Sequence, residues 1–553
     1  MWRRLGILPL ITVPFLVHCS DFSTTDGPAP LGDDAGDGGE GGDGATGEVD
    51  PPLVPTDKVD ILFVVDNSAS MGDKQSLLAT SVDSLLRRLV VEQKITDIHV
   101  GIISSSLGPM GGDICSTDGR FDDHAHLLAL KKGGGTVANA QNGVFTLALS
   151  GNVDQLIADT RDAIVGVDQT GCGLEAQLEA MYRFLVQPDP WLSITAGTGA
   201  WEGVDDVLLA QRKAFLRPDS ALAVIMISDE DDSNVDPQSL GGNGWKWVTR
   251  TFPGSTVVRG DPRNGSTAPR ATSACATDPD SPDCKSCADT DHSDPSCQIN
   301  GGYYGATEDN LNVRFTNMKR RFGVDPQFPI DRYVKGLTER TAPKRETQHD
   351  PTTGVYTHSP TCTNPIFAKT LPGSAAEELC NLVDGDRSKR LIAFHLIGGA
   401  PPALAKEVLG PSDWPGLFSD PHMTVSITAR PGLPPPTDTR GDNGTDPVHG
   451  REWDTRSDDL QYACTFALPQ LRTCTVQDSS CDCAISDKNP PLCGANLGDQ
   501  LRGKAYPTLR ELRVAEGLGE RGLVSSLCNV DPARGYSPAL DRLVDRIAPV
   551  LKK

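Results

Sequence analysis

One stretch limits what this chain can fold into more than any other. Val59-Asp60-Ile61-Leu62-Phe63-Val64-Val65 is almost continuously apolar and runs straight into Asp66-Asn67-Ser68-Ala69-Ser70. A strand with one wet face would alternate polar and apolar residues, whereas an uninterrupted run needs cover on both faces, as in the centre of a parallel sheet. Runs of the same character recur at 98–103, 222–227 and 391–397, with helical patterns at 75–91, 153–164, 174–186 and 204–216. This alternation predicts an α/β fold: a doubly wound, mostly parallel, Rossmann-like sheet with its ligand chemistry at the carboxyl ends of the strands.

The strands are unevenly spaced, with roughly 160 residues between 227 and 391. Two long disulfide-rich insertions are expected, at about 235–389 and 400–504, in a chain whose 56 Gly and 42 Pro favour irregular structure. The first is rich in Gly, Pro, Asp and Cys, with a helix predicted near 330–338, and the second begins Pro-rich and ends in a Cys cluster. Neither has the apolar periodicity of an independent domain, so stapled loops are expected. The fold should then resume with a helix at 508–516, a strand at 522–527 and an amphipathic helix at 536–551, with Leu540, Val544 and Ile547 on one stripe.

The amino terminus reads as an export signal, with Arg3 and Arg4 ahead of a short apolar run over 5–17. Its end, Leu16-Val17-His18-Cys19, resembles a bacterial lipobox, in which the Cys becomes the lipidated first residue; His18 departs from the small residue of that pattern. Cys19 is therefore the candidate lipidation site and membrane anchor of a cell-envelope lipoprotein, the alternative being a periplasmic or secreted product. Residues 20–56 form an acidic Gly/Asp/Pro linker with almost no large apolar side chain to offset ordering entropy, and the folded body is expected over 57–552. Setting Cys19 aside leaves 14 of the 15 cysteines, an even number that in an exported chain predicts disulfides. The rival is zinc at Cys284/Cys287 and Cys481/Cys483, against which export weighs. A net charge of −23 leaves no basic surface for phosphates, which excludes nucleic acid as a partner.

Three separated pieces carry the candidate site. Asp66, Ser68 and Ser70 follow a buried strand; Thr170 stands in Thr170-Gly171-Cys172-Gly173, which opens a helix; Asp229 closes the strand over 221–227. Carboxylates and hydroxyls suit a hard divalent cation better than a soft metal. Each piece alone could be an N-cap, but capping does not explain why Asp229, after a different strand, completes an all-oxygen shell.

These residues resemble the metal-ion-dependent adhesion site of von Willebrand factor type A (VWA) domains: Asp-x-Ser-x-Ser after the first strand, a distant Thr, and an Asp after the fourth strand. The resemblance covers 57–234, 390–398 and 505–552. It implies one divalent cation, Mg²⁺ foremost with Ca²⁺ or Mn²⁺ possible, and an open coordination position that accepts an Asp or Glu carboxylate from a protein partner. The function implied is adhesion or scaffolding at the bacterial envelope, not catalysis. The alternative is a structural envelope protein in which the metal only stabilises the fold; a metal-assisted hydrolase is the weakest reading, since no general base can be nominated.

Other features carry less. The acidic run Asp229-Glu230-Asp231-Asp232, with Asp236, is expected to face solvent beyond its first member. Asp289, Asp291 and Asp294 lack the spacing of an EF-hand. Asp122, Asp123, His124 and His126 read as a solvated loop, the two Arg-Gly-Asp triplets at 259–261 and 440–442 as chance, and the ten His show no evident partnership. Cys172 is expected to pair with Cys115, which would stiffen the Thr170 loop.

Overall fold

The computed structural model describes residues 50–552 apart from 118, 258–266, 306, 352, 360, 406–413, 476–479 and 484–487. The export signal, Cys19, most of the linker and the triplet at 259–261 lie outside the described residues.

A seven-stranded sheet organises the body. Its strands are β1 (Lys58–Val65), β2 (Asp97–Ser104), β3 (Ala140–Gln141), β4 (Val144–Thr146), β5 (Ala221–Ile227), β6 (Ile392–Gly398) and β7 (Gly522–Ser526), in the order β7-β6-β5-β1-β2-β4-β3. The five longest pair in parallel, and β4 and β3 add an antiparallel edge. The mostly parallel α/β fold is therefore as the apolar runs predict. Only the short edge hairpin is new.

Both faces of β1 are covered. Leu62 and Val64 face one apolar layer, and Ile61, Phe63 and Val65 face the other. Helices α1 (Gly72–Arg87), α2 (Val153–Gly166) and α6 (Ser537–Ile547) fill the second layer through Leu78, Val82, Leu156, Ile164, Leu540 and Val544. Helices α3 (Gln177–Leu185), α4 (Asp206–Phe215) and α5 (Leu509–Gly517) fill the first through Leu178, Met181, Leu208 and Leu512. Each such side chain contributes about 1.5–3 kcal/mol by leaving water. Two helix starts are set by local chemistry: Asn152 accepts from Gln155 N at 2.9 Å, and Asp205 accepts from Leu208 N at 3.0 Å.

The long segment between β5 and β6 departs from expectation. Trp247, Phe252, Phe322, Phe328, Tyr333 and Phe367 are buried in the same layer as Leu62, so the segment, stapled as expected by Cys275–Cys284, Cys287–Cys297 and Cys362–Cys380, also extends the core. Its apolar residues lie on short separated elements, among them the helices Met318–Phe322 and Ile330–Gly336, the latter near the predicted 330–338, and these are too brief to show a long period in the sequence. Between β6 and α5, a hairpin of Cys464–Thr473 and Asp499–Ala505 shelters a smaller cluster with Trp453, Tyr462, Leu492 and Tyr506.

The fourteen cysteines among the described residues form seven disulfides, Cys115–Cys172 among them as expected. Cys284 and Cys287 pair with Cys275 and Cys297, and Cys481 and Cys483 with Cys474 and Cys493, so these sulfurs are spent on one another and not on zinc. Cys464–Cys528 ties the hairpin to the turn after β7. This oxidised set is consistent with an exported protein. Among the described residues no helix is long and apolar enough to cross a membrane.

Candidate metal centre

Parallel pairing delivers the Asp66–Ser70 turn and Asp229 to one place. Val65 stands opposite Ile227, and Asp66 N donates to Ile227 O at 3.0 Å, so the chain leaves β1 and β5 side by side. Asp66 is fully buried: its Oδ1 accepts from Ser68 N at 2.7 Å and its Oδ2 from Ser228 Oγ at 2.7 Å. Ser70 Oγ donates to Asp229 Oδ2 at 2.7 Å, which joins the turn after β1 to the residue after β5.

The Thr170 loop is held against the turn after β1. Gly171 N donates to Asn67 O at 2.9 Å, and Cys172 N donates to Ser106 Oγ at 3.0 Å. Ser106 Oγ itself donates to Asn67 Oδ1 at 2.9 Å, and Ser105 Oγ reaches Asp66 Oδ1 at 3.3 Å. A Cβ at position 171 would meet Asn67 Oδ1 at 2.2 Å, so this close approach requires glycine. Cys115–Cys172 anchors the far side of the loop. Thr170 is placed beside the turn but its side chain is exposed, the least enclosed of the five expected ligands.

Two oxygens at the centre have no hydrogen-bond partner although they are buried: Ser68 Oγ and Asp229 Oδ1. Buried oxygens without a donor are costly, by about 1–3 kcal/mol each. Burial and the nearby Asp229 charge push the Asp66 carboxyl up to about 6, against the hydrogen bonds that hold it down. Burial, with Asp229 next, lifts the neighbouring Glu230 to about 8, and burial with Glu230 lifts Glu175 well above the carboxylate range. Unpartnered oxygens in a crowd of carboxylates fit a hard cation.

One basic group stands inside the same cluster. Lys74, buried on α1, places Nζ 3.0 Å from Asp229 Oδ2, 3.3 Å from Asp73 Oδ1 and 2.9 Å from Ser70 O. Burial alone would lower its pKa; Asp229 and Asp73 outweigh burial and raise it above the ordinary lysine range. Lysine is an ordinary solvent-facing residue in sequence, and nothing in the sequence marked Lys74 for this placement.

Of the five expected ligands, Ser68 and Ser70 line a cleft of about 420 Å³, together with Glu175, Glu230, Lys504 and Tyr506. The expectation that the acidic run faces solvent fails here. Asp232 is buried, accepting from Leu178 N at 3.1 Å beside Arg510 at 3.4 Å, and Asp236 is buried against His349 at 2.5 Å. Arg510 and His349 come from distant segments and cover the run.

The remaining candidates are spent locally. His126 pairs with Asp205 at 2.8 Å and Asp123 accepts from Ser104 Oγ at 2.5 Å, so the 122–126 loop is tied into the body. Asp294 caps a short helix and accepts from Ser273 Oγ at 2.7 Å. Asp442 of the second Arg-Gly-Asp triplet is exposed and accepts from Gly444 N at 2.8 Å. Histidine partnership, however, does exist: His422 and His449 both face Asp446. No protein-family model matches the chain, and no curated protein matches it.

Proposed function

We propose that this chain is an exported, non-enzymatic binding protein of the VWA type that holds one divalent cation, Mg²⁺ foremost, through Asp66, Ser68, Ser70, Thr170 and Asp229. The observation that carries this reading is the pair of buried, partnerless oxygens, Ser68 Oγ and Asp229 Oδ1, next to a cleft that Ser68, Ser70 and Glu230 line. When bound, the cation supplies a positive centre able to take a carboxylate oxygen from a protein partner. Asp66 and Asp229 supply the charge and Ser68 and Ser70 the hydroxyls, while Ser105 and Ser228 hold Asp66 and Ser106 ties the Thr170 loop to Asn67. Thr170, the exposed member, would complete the set. In this reading 235–389 and 400–504 are insertions into the VWA fold, and lipidation at Cys19 with the linker after it tethers the body to a membrane of the cell envelope. The test is a crystal grown with Mn²⁺ and measured at a wavelength where manganese scatters anomalously: a peak among Ser68, Ser70 and Asp229 supports the reading, and a featureless cleft contradicts it.

A second reading has one observation in its favour. The Lys74 ammonium already neutralises part of the Asp229 charge, so the cluster could act as a metal-free clamp on the strand ends of a structural envelope protein whose contacts lie in the Cys-rich segments. Retention of partner binding by Asp66→Ala would favour it.

A further inference from the structure

A second cluster lies in the segment between β6 and α5, outside the centre described above. His422 sits in the turn Pro421–Met423, while Asp446 and His449 belong to a tight turn closed by Asp446 N to Gly450 O and Gly450 N to Asp446 O, both 2.9 Å. One nitrogen of each ring and an oxygen of Asp446 lie within 4.8 Å of one another. His422 Nε2 is 3.1 Å from Asp446 Oδ2, and His449 Nδ1 is 3.2 Å from Asp446 Oδ1.

The outer nitrogens of both rings are already engaged. His422 Nδ1 is 2.8 Å from Asp420 Oδ1, and His449 Nε2 is 2.7 Å from Glu452 Oε1. Arg430 fixes Glu452 with Nη2 at 2.7 Å and Nε at 3.0 Å, and its Nη1 donates to His422 O at 2.7 Å. A carboxylate on the far nitrogen is how proteins set the tautomer of a metal-ligating histidine. With its proton directed at Glu452, His449 turns the Nδ1 lone pair toward Asp446, and this buried nitrogen has no hydrogen-bond partner. Two acceptors then face each other across 3.2 Å. Asp446 Oδ1 also accepts from Val448 N at 2.7 Å and His449 N at 3.1 Å, which holds the carboxylate in place. Asp420, Asp446 and Glu452 outnumber Arg430 in charge, so the cluster favours a cation.

We infer that His422, Asp446 and His449 bind a zinc-class divalent ion. Two imidazoles and one carboxylate match the donor set of Zn²⁺, with bonds of about 2 Å and a fourth position left for water. Hard cations such as Mg²⁺ prefer all-oxygen shells, so this site and the oxygen centre select different metals. The ion pins the 421–423 turn to the 446–450 turn. The same segment contributes Val425 and Asp459 to the wall of the cleft, so the zinc site sets the shape of that wall.

The test uses the full chain carrying a tag without histidines, stripped by chelator and titrated with Zn²⁺ in excess Mg²⁺. Expected are one tightly bound Zn²⁺ per chain, its retention in Asp66→Ala, and its weakening by more than about 100-fold in His422→Gln and in Asp446→Asn. Zinc K-edge absorption on the wild type reads the ligands independently of any variant and should show two imidazoles. No stoichiometric Zn²⁺, binding that survives both substitutions, or fewer than two imidazoles would overturn the assignment and leave two imidazolium rings bridging carboxylates. Failure of the oxygen centre to bind Mg²⁺ would leave this result untouched.

Discussion

Lys74 Nζ lies 3.0 Å from Asp229 Oδ2, so an ammonium stands inside a cluster otherwise built of oxygens. It meets only one Asp229 oxygen and leaves Oδ1 without a partner. An ammonium and a bound cation compete for this carboxylate, and that competition separates the two readings of the site. Lys74→Met should cost about 3 kcal/mol in urea unfolding without metal, the usual penalty for leaving a buried charge unpaired. Added Mg²⁺ should restore most of that loss and bind more tightly than to the wild type. A variant that Mg²⁺ leaves unchanged would favour the metal-free clamp.

Ser106 joins two of the three pieces, donating to Asn67 Oδ1 at 2.9 Å and accepting from Cys172 N at 3.0 Å. Ser106→Ala removes both bonds without touching an expected ligand. The account expects metal affinity to fall about 10-fold or more, as for other groups that orient ligands from behind. Isothermal titration checks it, and an unchanged affinity would show that the Thr170 loop plays no part in binding.

Cys115–Cys172 anchors the same loop from its other side. Replacing both cysteines by Ala should cost about 2–4 kcal/mol by freeing the unfolded chain. Amide exchange should quicken over 168–174 while β1 and β5 stay protected. Uniform loss of protection across the sheet would contradict a local role for this bridge.

How much of this was legible in the sequence follows from where the residues lie. β1, β2, β5 and β6 announce themselves because strands covered on both faces are nearly unbroken apolar runs, whereas β7, Gly-Leu-Val-Ser-Ser, carries only a short one. β3 and β4, at two and three residues, are too short to signal. Asp66, Ser68, Ser70 and Asp229 were legible because oxygen donors follow predicted strands directly; Lys74 was not, since nothing local marks a lysine for burial. Phe322, at the end of the five-residue helix Met318–Phe322, and Phe367, on a single turn, enter the core from elements too short to signal. Neither Asp446 nor His449 stood out in the sequence, and His422 reaches them only in three dimensions.

Acid sensitivity should trace in part to His395, buried on β6 with Nε2 2.8 Å from Ser525 Oγ on β7. Burial, and then Arg542, pushes it down to about 3 from an ordinary 6.5. Between those values the unfolded chain takes up a proton that the folded protein refuses. Its contribution is therefore intact above pH 6.5 and is lost as pH falls toward 3, by about 1.4 kcal/mol per pH unit. Urea midpoints measured across this range should fall less steeply in His395→Gln. An identical slope would show that other groups carry the acid response.

The most direct test of the oxygen centre is calorimetric titration of the chelator-stripped chain with Mg²⁺, Ca²⁺ and Mn²⁺, beside Asp66→Ala/Ser68→Ala. The account predicts saturable binding near one ion per chain for the wild type, with Mg²⁺ among the ions bound, and loss of that binding in the double variant. A folded wild type that binds none of the three, or a double variant that binds as well as the wild type, would contradict it.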